Sequence, residues 1–290
     1  MTPRERALLS LEGLSVGDAY GELFFGREEG TPLPEGPWRW TDDTALAVSL
    51  TRILLRCNCV DPDQLALDMS AVYRSEPDRG YGRGMHELLP HLARPGVWQE
   101  EAAKLFHGQG SLGNGAAMRV APLGGFLADD LDYLEGQAEL ASVVTHTHPD
   151  AVAGATAVAT AAALAWQNRD HPPDLQDFLI MCLERVPPGP VRRGLMKARD
   201  LRPEAPVREA AEILGNGSQV TAEDTVPYVL WCAGRHLGDF RLALEETVQG
   251  KGDMDTTCAM VGGIVALSVG WEGIPAEWRK AREPLPEFPP

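Results

Sequence analysis

Two short acidic clusters, near opposite ends of a chain of 290 residues, hold the side chains best suited to chemistry. The first is Thr41-Asp42-Asp43-Thr44, behind Trp40. The second is Asp253-Met254-Asp255-Thr256-Thr257, behind Gly252. Each supplies two carboxylates and hydroxyl groups within a few residues, and each opens onto an apolar helical run. Taken singly, either cluster reads as an ordinary helix cap. Thr and Asp oxygens accept from the first free N–H groups, and carboxylates suit the positive end of the helix dipole. Two features favour a joint role. A cap uses one oxygen while each cluster offers three or four, and both lie beside Trp or Gly rather than in a solvated charged stretch. If the fold brings the clusters together, four carboxylates share one site, and like charges so close do not all stay ionised without a cation. An all-oxygen donor set points to Mg²⁺, Mn²⁺ or Ca²⁺ rather than zinc, as one ion or two. The spacing is not that of an EF-hand loop.

Other segments carry weaker signals. Gly110-Ser111-Leu112-Gly113-Asn114-Gly115 has three glycines in six residues. Such a loop lets backbone N–H groups approach a phosphate, though a plain turn before a helix would use glycine in the same way. His146 and His148 follow an apolar helix. His148, just before Pro149, reads as a helix-boundary residue. Arg79 to Gly84 is Gly-rich and basic, and a surface loop is the preferred reading over a cleft wall. Cys57, Cys59, Cys182, Cys232 and Cys258 are an odd, scattered set that argues against a disulfide framework. Cys57-Asn58-Cys59 lacks the second pair a zinc site needs.

The elements that must position these residues read as helices. Apolar spacing predicts helices over 41–56, 138–144, 151–166, 174–184, 207–214, 225–233 and 258–269. Alternating strand patterns are scarce, and Pro and Gly gather between the runs, at 31–37, 187–190 and 214–217. A single all-α domain over 1–290 is the simplest account, with a Pro-rich, extended surface tail over about 284–290. Hydrophobic residues make up 44% of the chain, enough for a substantial core. The net charge of −16 weighs against a nucleic-acid partner. No apolar run is expected to span a membrane, and the charged N-terminus does not read as a signal peptide, so the expected location is cytoplasmic.

Five motifs in order resemble the ADP-ribosylglycohydrolase family, of the dinitrogenase-reductase-activating glycohydrolase type. They are Gly17-Asp18-Ala19-Tyr20-Gly21, Trp40 to Thr44, Gly110 to Arg119, Thr145-His146-Thr147-His148-Pro149, and Gly252 to Thr257. The resemblance implies an all-α fold with a binuclear Mg²⁺ or Mn²⁺ centre in a cleft. It implies Thr41, Asp42, Asp43, Asp253, Asp255 and Thr256 as metal ligands, with Asp255 between the two ions. It further implies a substrate containing ADP-ribose, such as an ADP-ribosylated protein, cleaved at the distal ribose C1″. Phe106, Gly110, Ser111, Gly113, Asn114, Gly115, Met118 and His146 would then bind the substrate. Asp42, Asp255 and Glu22 would be the catalytic carboxylates. Relatives carry an acid four residues after the glycine matching Gly21, where this chain has Phe25; either Glu22 stands in for it from a nearby position, or the metals and Asp residues suffice. An acid common in arginine-specific relatives is Ser111 here, which argues against that linkage. Two rivals stand beside this reading. One is a non-catalytic ADP-ribose binder on the same scaffold; the other is a metal-dependent phosphohydrolase using His146, His148 and Asp150.

Overall fold

A computed structural model describes residues 1–28 and 30–288. Its helices are, in order, α1 (Pro3–Glu22), α2 (Asp42–Cys57), α3 (Pro62–Ser75), α4 (Arg83–Leu88), α5 (Trp98–Gly108), α6 (Ala121–Phe126), α7 (Leu131–Val143), α8 (Pro149–Gln167), α9 (Leu175–Leu183), α10 (Pro190–Asp200), α11 (Val207–Leu214), α12 (Ala222–Arg235), α13 (Phe240–Thr247), α14 (Met254–Gly273) and α15 (Ala276–Ala281). Among the described residues there is no strand, only isolated bridges at Trp38–Arg282 and Gly113–Thr221. The fold is all-α, as the apolar spacing predicts.

α1 and α14 form the central pair, and glycine is the reason they approach so closely. Gly13, Gly17 and Gly21 recur every four residues and so share one face of α1. A Cβ on Gly17 would lie 2.0 Å from the Cys258 carbonyl oxygen, and one on Gly21 would lie 2.2 Å from that of Met254. Gly13 meets Gly262 in the same way further along. The helices therefore run antiparallel, and the start of α14 is clamped against the end of α1. α8 supports this pair. From Ala151 to Trp166 nearly every residue is buried, and its alanines let α6, α7, α12 and α14 close in around it.

Sequence spacing missed α1 altogether. Its three glycines look like breakers, and because Leu9, Leu11, Leu14 and Val16 are buried around much of the helix, no single apolar stripe stands out. α14 corrects another expectation. It is long and apolar enough by composition to cross a membrane, yet 72% of its most apolar window is buried inside the protein. It is apolar all round because it is the core.

The chain's end returns to brace the start of α2. The Trp38 N–H donates to the Ala281 carbonyl at 2.6 Å, and the Glu283 N–H donates to the Trp38 carbonyl at 2.8 Å. Glu283 pairs bidentately with Arg79 at 2.7 and 2.8 Å, and Arg79 lies 3.5 Å above the Trp40 ring. Pro284 to Phe288 form no regular secondary structure, and Leu285 and Phe288 rest against the core; Pro289 and Pro290 lie outside the described residues.

Candidate active site

The two acidic clusters meet. The Thr256 hydroxyl at the start of α14 donates to Asp43 Oδ2 on α2 at 3.2 Å, across 213 positions of sequence. Asp18, from the last turns of α1, completes the junction. Its fully buried carboxylate accepts from the Thr41 N–H (2.9 Å), the Thr41 hydroxyl (2.9 Å), the Thr44 N–H (3.1 Å) and the Thr44 hydroxyl (2.5 Å). One α1 residue thus ties down the whole N-terminus of α2. Oxygens of Asp18, Asp43 and Asp255 all lie within 4.8 Å of one another.

The three carboxylates are not equivalent. Four donors already occupy Asp18. Asp43 Oδ1 and Asp255 Oδ1 are buried with no hydrogen-bond partner, an arrangement expensive for an acceptor unless something else satisfies it. Burial raises the carboxyl of Asp43 well above the usual range, with the Asp18 charge next; burial followed by Asp253 does the same to Asp255. Burial, then Asp18, pushes Asp42 up to about 8, and burial pushes Asp18 up to about 6 against the bonds from Thr44 and Thr41. Without a counter-charge the neutral form is favoured at Asp42, Asp43 and Asp255, and a hard divalent cation would favour the ionised form instead. The buried, partnerless oxygens of Asp43 and Asp255 fit such an ion, and Asp18, in the same cluster, already accepts from Thr41 and Thr44.

Asp253 is placed differently. It sits at the N-cap of α14 but its side chain caps nothing there. Instead Asp253 Oδ2 accepts from Asn114 Nδ2 at 2.7 Å. Its backbone N–H donates to the Asn216 carbonyl, and Gly217 is so close that a Cβ would fall 2.5 Å from the Asp253 Cβ. Thr41, by contrast, does cap α2 by accepting from the Asp43 N–H. Ordinary capping therefore accounts for part of the first cluster and for none of Asp253's carboxylate.

A cavity of about 640 Å³ opens above this floor, within the roughly 300–1,000 Å³ usual for small-molecule sites. Asp42, Asp253, Asp255 and Thr256 form one end. Gly110, Ser111, Gly113, Asn114, Gly115 and Met118 form a wall, with His146 behind it and Phe106 at the rim. Bonds to the neighbouring loop hold the wall: the Asn114 N–H donates to the Val220 carbonyl, and the Ala222 N–H to that of Leu112. Gly110 has φ +74°, and a Cβ there would strike Thr147 Oγ1 at 2.0 Å. A wider groove of about 830 Å³ runs over α10 and α11, but none of the acidic clusters faces it.

Several expectations change. The Arg79–Gly84 segment is not a detached surface loop: Gly80, Gly82, Arg83 and Gly84 line the cavity, and the Arg79 carbonyl accepts from the Asp42 N–H at 2.7 Å. Phe106 is 58% exposed at the cavity, and its positive φ turns it out of the last turn of α5. His148 caps α8 by accepting from the Asp150 N–H. His148 lies 3.6 Å from Asp150 Oδ2, but neither lines the cavity, where His146 stands without them. Glu22 ends α1, exposed and outside the cavity lining, one turn beyond Asp18. Thr41 and Asp43 lie beneath the cavity floor.

Sequence reasoning assigned no role to Asp18, Arg119, Thr145, or the cavity-lining Gln219, Val220 and Thr221. Arg119 had a usable signal. It is a lone charge between Lys104 and Asp129, the kind of residue that is buried only when partnered. The 219–221 loop has none, because its contribution is backbone carbonyls and position.

Comparison with known proteins agrees with this geometry. The profile of the ADP-ribosylglycohydrolase family matches residues 1–287. Human ADP-ribosylhydrolase ARH3 is 29% identical over 273 residues, covering 84% of this chain and 74% of that protein. An uncharacterized protein of Archaeoglobus fulgidus is 30% identical, covering 95% of this chain and 92% of its own. A solved structure described as an ADP-ribosylglycohydrolase-related protein complex superposes with a TM-score of 0.65 at 24% identity, covering 97% of this chain and 93% of that one, which supports the fold. With its acidic clusters joined beneath a Gly-rich wall, the chain belongs to the ADP-ribosylglycohydrolase family of glycosidic-bond hydrolases.

Proposed function

We propose that the protein hydrolyses the bond between the distal ribose C1″ and an acceptor atom in ADP-ribosylated protein side chains or ADP-ribose conjugates, releasing ADP-ribose, with divalent metal bound at the floor. The observation that carries this reading is the junction of Asp43, Asp255 and Thr256, with unpartnered carboxylate oxygens, directly beneath a cavity walled by Gly110–Gly115. Asp42, Asp43, Asp253, Asp255, Thr41 and Thr256 would hold Mg²⁺ or Mn²⁺, as one ion or two. Such an ion, when bound, supplies charge that orients ribose hydroxyls and lowers the pKa of water.

The protein's own groups would do the rest. The Gly110–Gly115 backbone and Ser111 receive the pyrophosphate, and Phe106 at the rim flanks the adenine. Asn114, held against Asp253, places the ribose at the carboxylate end. There C1″ lies against Asp42 and Asp255, and the C1″–acceptor bond loosens through an oxocarbenium-like transition state. Water attacks C1″ as the C1″–acceptor bond breaks, and a floor carboxylate takes the water's proton and passes it to the departing acceptor. Glu22 is a candidate for that base only if the end of α1 turns it inward.

The test is product identity on a panel of ADP-ribosylated peptides joined through different side chains, with O-acetyl-ADP-ribose included. Intact ADP-ribose from at least one conjugate supports the reading. AMP as the product points to a phosphohydrolase, and tight ADP-ribose binding without turnover points to a non-catalytic binder.

A further inference from the structure

Behind the cavity wall lies a buried chain of three side chains that no part of the chemistry above requires. Arg119 is fully buried and makes no ion pair among the described residues. Its Nη1 donates to the Gly115 carbonyl at 2.8 Å. Its Nη2 donates to the Ala141 carbonyl and to Thr145 Oγ1, both at 2.8 Å. Thr145 Oγ1 in turn lies 2.7 Å from His146 Nδ1.

The direction of these bonds can be worked out. A guanidinium has donors only, so Thr145 Oγ1 is the acceptor from Arg119. The Thr145 hydroxyl hydrogen then needs an acceptor, and among the described residues His146 Nδ1 is the one within reach. His146 Nδ1 is therefore unprotonated, and the ring carries its proton on Nε2. Nε2 faces the Gly-rich wall: a Cβ would lie 3.3 Å from it on Gly113 and 2.9 Å from it on Gly115. His146 is only 4% exposed, it lines the cavity, and Nε2 has no hydrogen bond to a described residue. Burial, with Arg119 second, presses the ring's pKa down to about 3, consistent with one proton on the ring.

We infer that Arg119 and Thr145 are positioning residues that fix His146 as an Nε2–H donor toward an oxygen of the bound ligand. A phosphate or ribose hydroxyl oxygen is the matching acceptor, and that identification rests on the ADP-ribose reading. The same Arg119 holds the Gly115 carbonyl, so wall and imidazole are set by one buried group.

The experiment is a long-range ¹H–¹⁵N correlation spectrum of the labelled full chain, with His146 assigned by loss of its signals in His146→Gln. The wild type should show the Nε2–H tautomer, a result that needs neither Thr145 variant to fold. Thr145→Val should mix the tautomers and weaken ADP-ribose binding in calorimetry by about ten-fold, the worth of one hydrogen bond. Thr145→Ser should restore both. An Nδ1–H tautomer in the wild type, or an unchanged tautomer and affinity in Thr145→Val, overturns the inference. A wild type that binds no ADP-ribose counts against the proposed function instead, while the spectrum still decides the tautomer.

Discussion

At the scale of single residues, the site is a set of like charges forced together. That has a cost readable in stability. Asp43 and Asp255 hold raised pKa values because burial and neighbouring carboxylates penalise ionisation. In metal-free protein, Asp43→Asn or Asp255→Asn removes a buried carboxyl whose ionisation the fold penalises, so Tm at neutral pH should hold or rise. The increase in Tm that Mg²⁺ or Mn²⁺ gives the wild type should vanish. ADP-ribose release should fall more than about a hundred-fold, beyond what residues that merely orient ligands show. Thermal scans with and without metal, together with turnover, check both parts, and a helical circular-dichroism spectrum confirms folding. The sign of the pH dependence follows from the same shifts. Folded pKa values above the unfolded value mean that the native state binds more protons, so stability falls as pH rises. With Asp18 near 6 and Asp42 near 8, the metal-free protein should lose stability between about pH 4 and 8. Urea titrations across that range in chelator should show it, and the divalent ion should offset the loss. The ligand types were legible in sequence because Asp-Asp and Asp-x-Asp beside Thr are oxygen-rich. Asp18 was not assigned, since a single carboxylate in a glycine-rich helix says nothing of the four donors that reach it from elsewhere.

At the scale of elements, the pairing of α1 with α14 decides whether the clusters meet. Gly17→Ala places a methyl 2.0 Å from the Cys258 carbonyl oxygen, which is backbone and cannot swing aside. The helices must part, at a cost of about 1–3 kcal/mol or more in urea unfolding. Because Asp18 and Asp255 lie on these two helices, metal affinity should fall as well. Gly136→Ala, in the interior of α7 where a Cβ meets nothing within 4 Å, is the control: it should raise stability by up to about 1 kcal/mol, as alanine does in a helix, and leave metal affinity unchanged. α11, whose buried residues Val207, Ala210, Ala211 and Leu214 keep to one face, was readable from spacing residue for residue. Helices buried all round were harder. α1 was missed and α14 was read four residues late at its start, because a helix inside a core shows no period. The cleft wall from Arg79 to Gly84 was misread for a related reason. Glycine and arginine suit a solvated loop, and only the distant Glu283 reveals that Arg79 is tied down.

At the scale of the whole molecule, the chain closes on itself. Its first helix, its last long helix and its C-terminal segment all converge on the start of α2, so the site exists only when both ends of the sequence are in place. Asp43 and Thr256 are 213 positions apart, and no local pattern predicts that they touch. The order of motifs made the junction expected; the glycine-to-backbone contacts of α1 and α14 explain it physically. The most direct test of a metal-bearing glycosidic hydrolase is ADP-ribose release from an ADP-ribosylated substrate. It is measured on chelator-treated protein and again as Mg²⁺ or Mn²⁺ is titrated back. Loss of release on chelation, restored by either ion and absent in Asp255→Asn at every ion concentration, is the expected result. Release that continues unchanged in the chelated protein would contradict it.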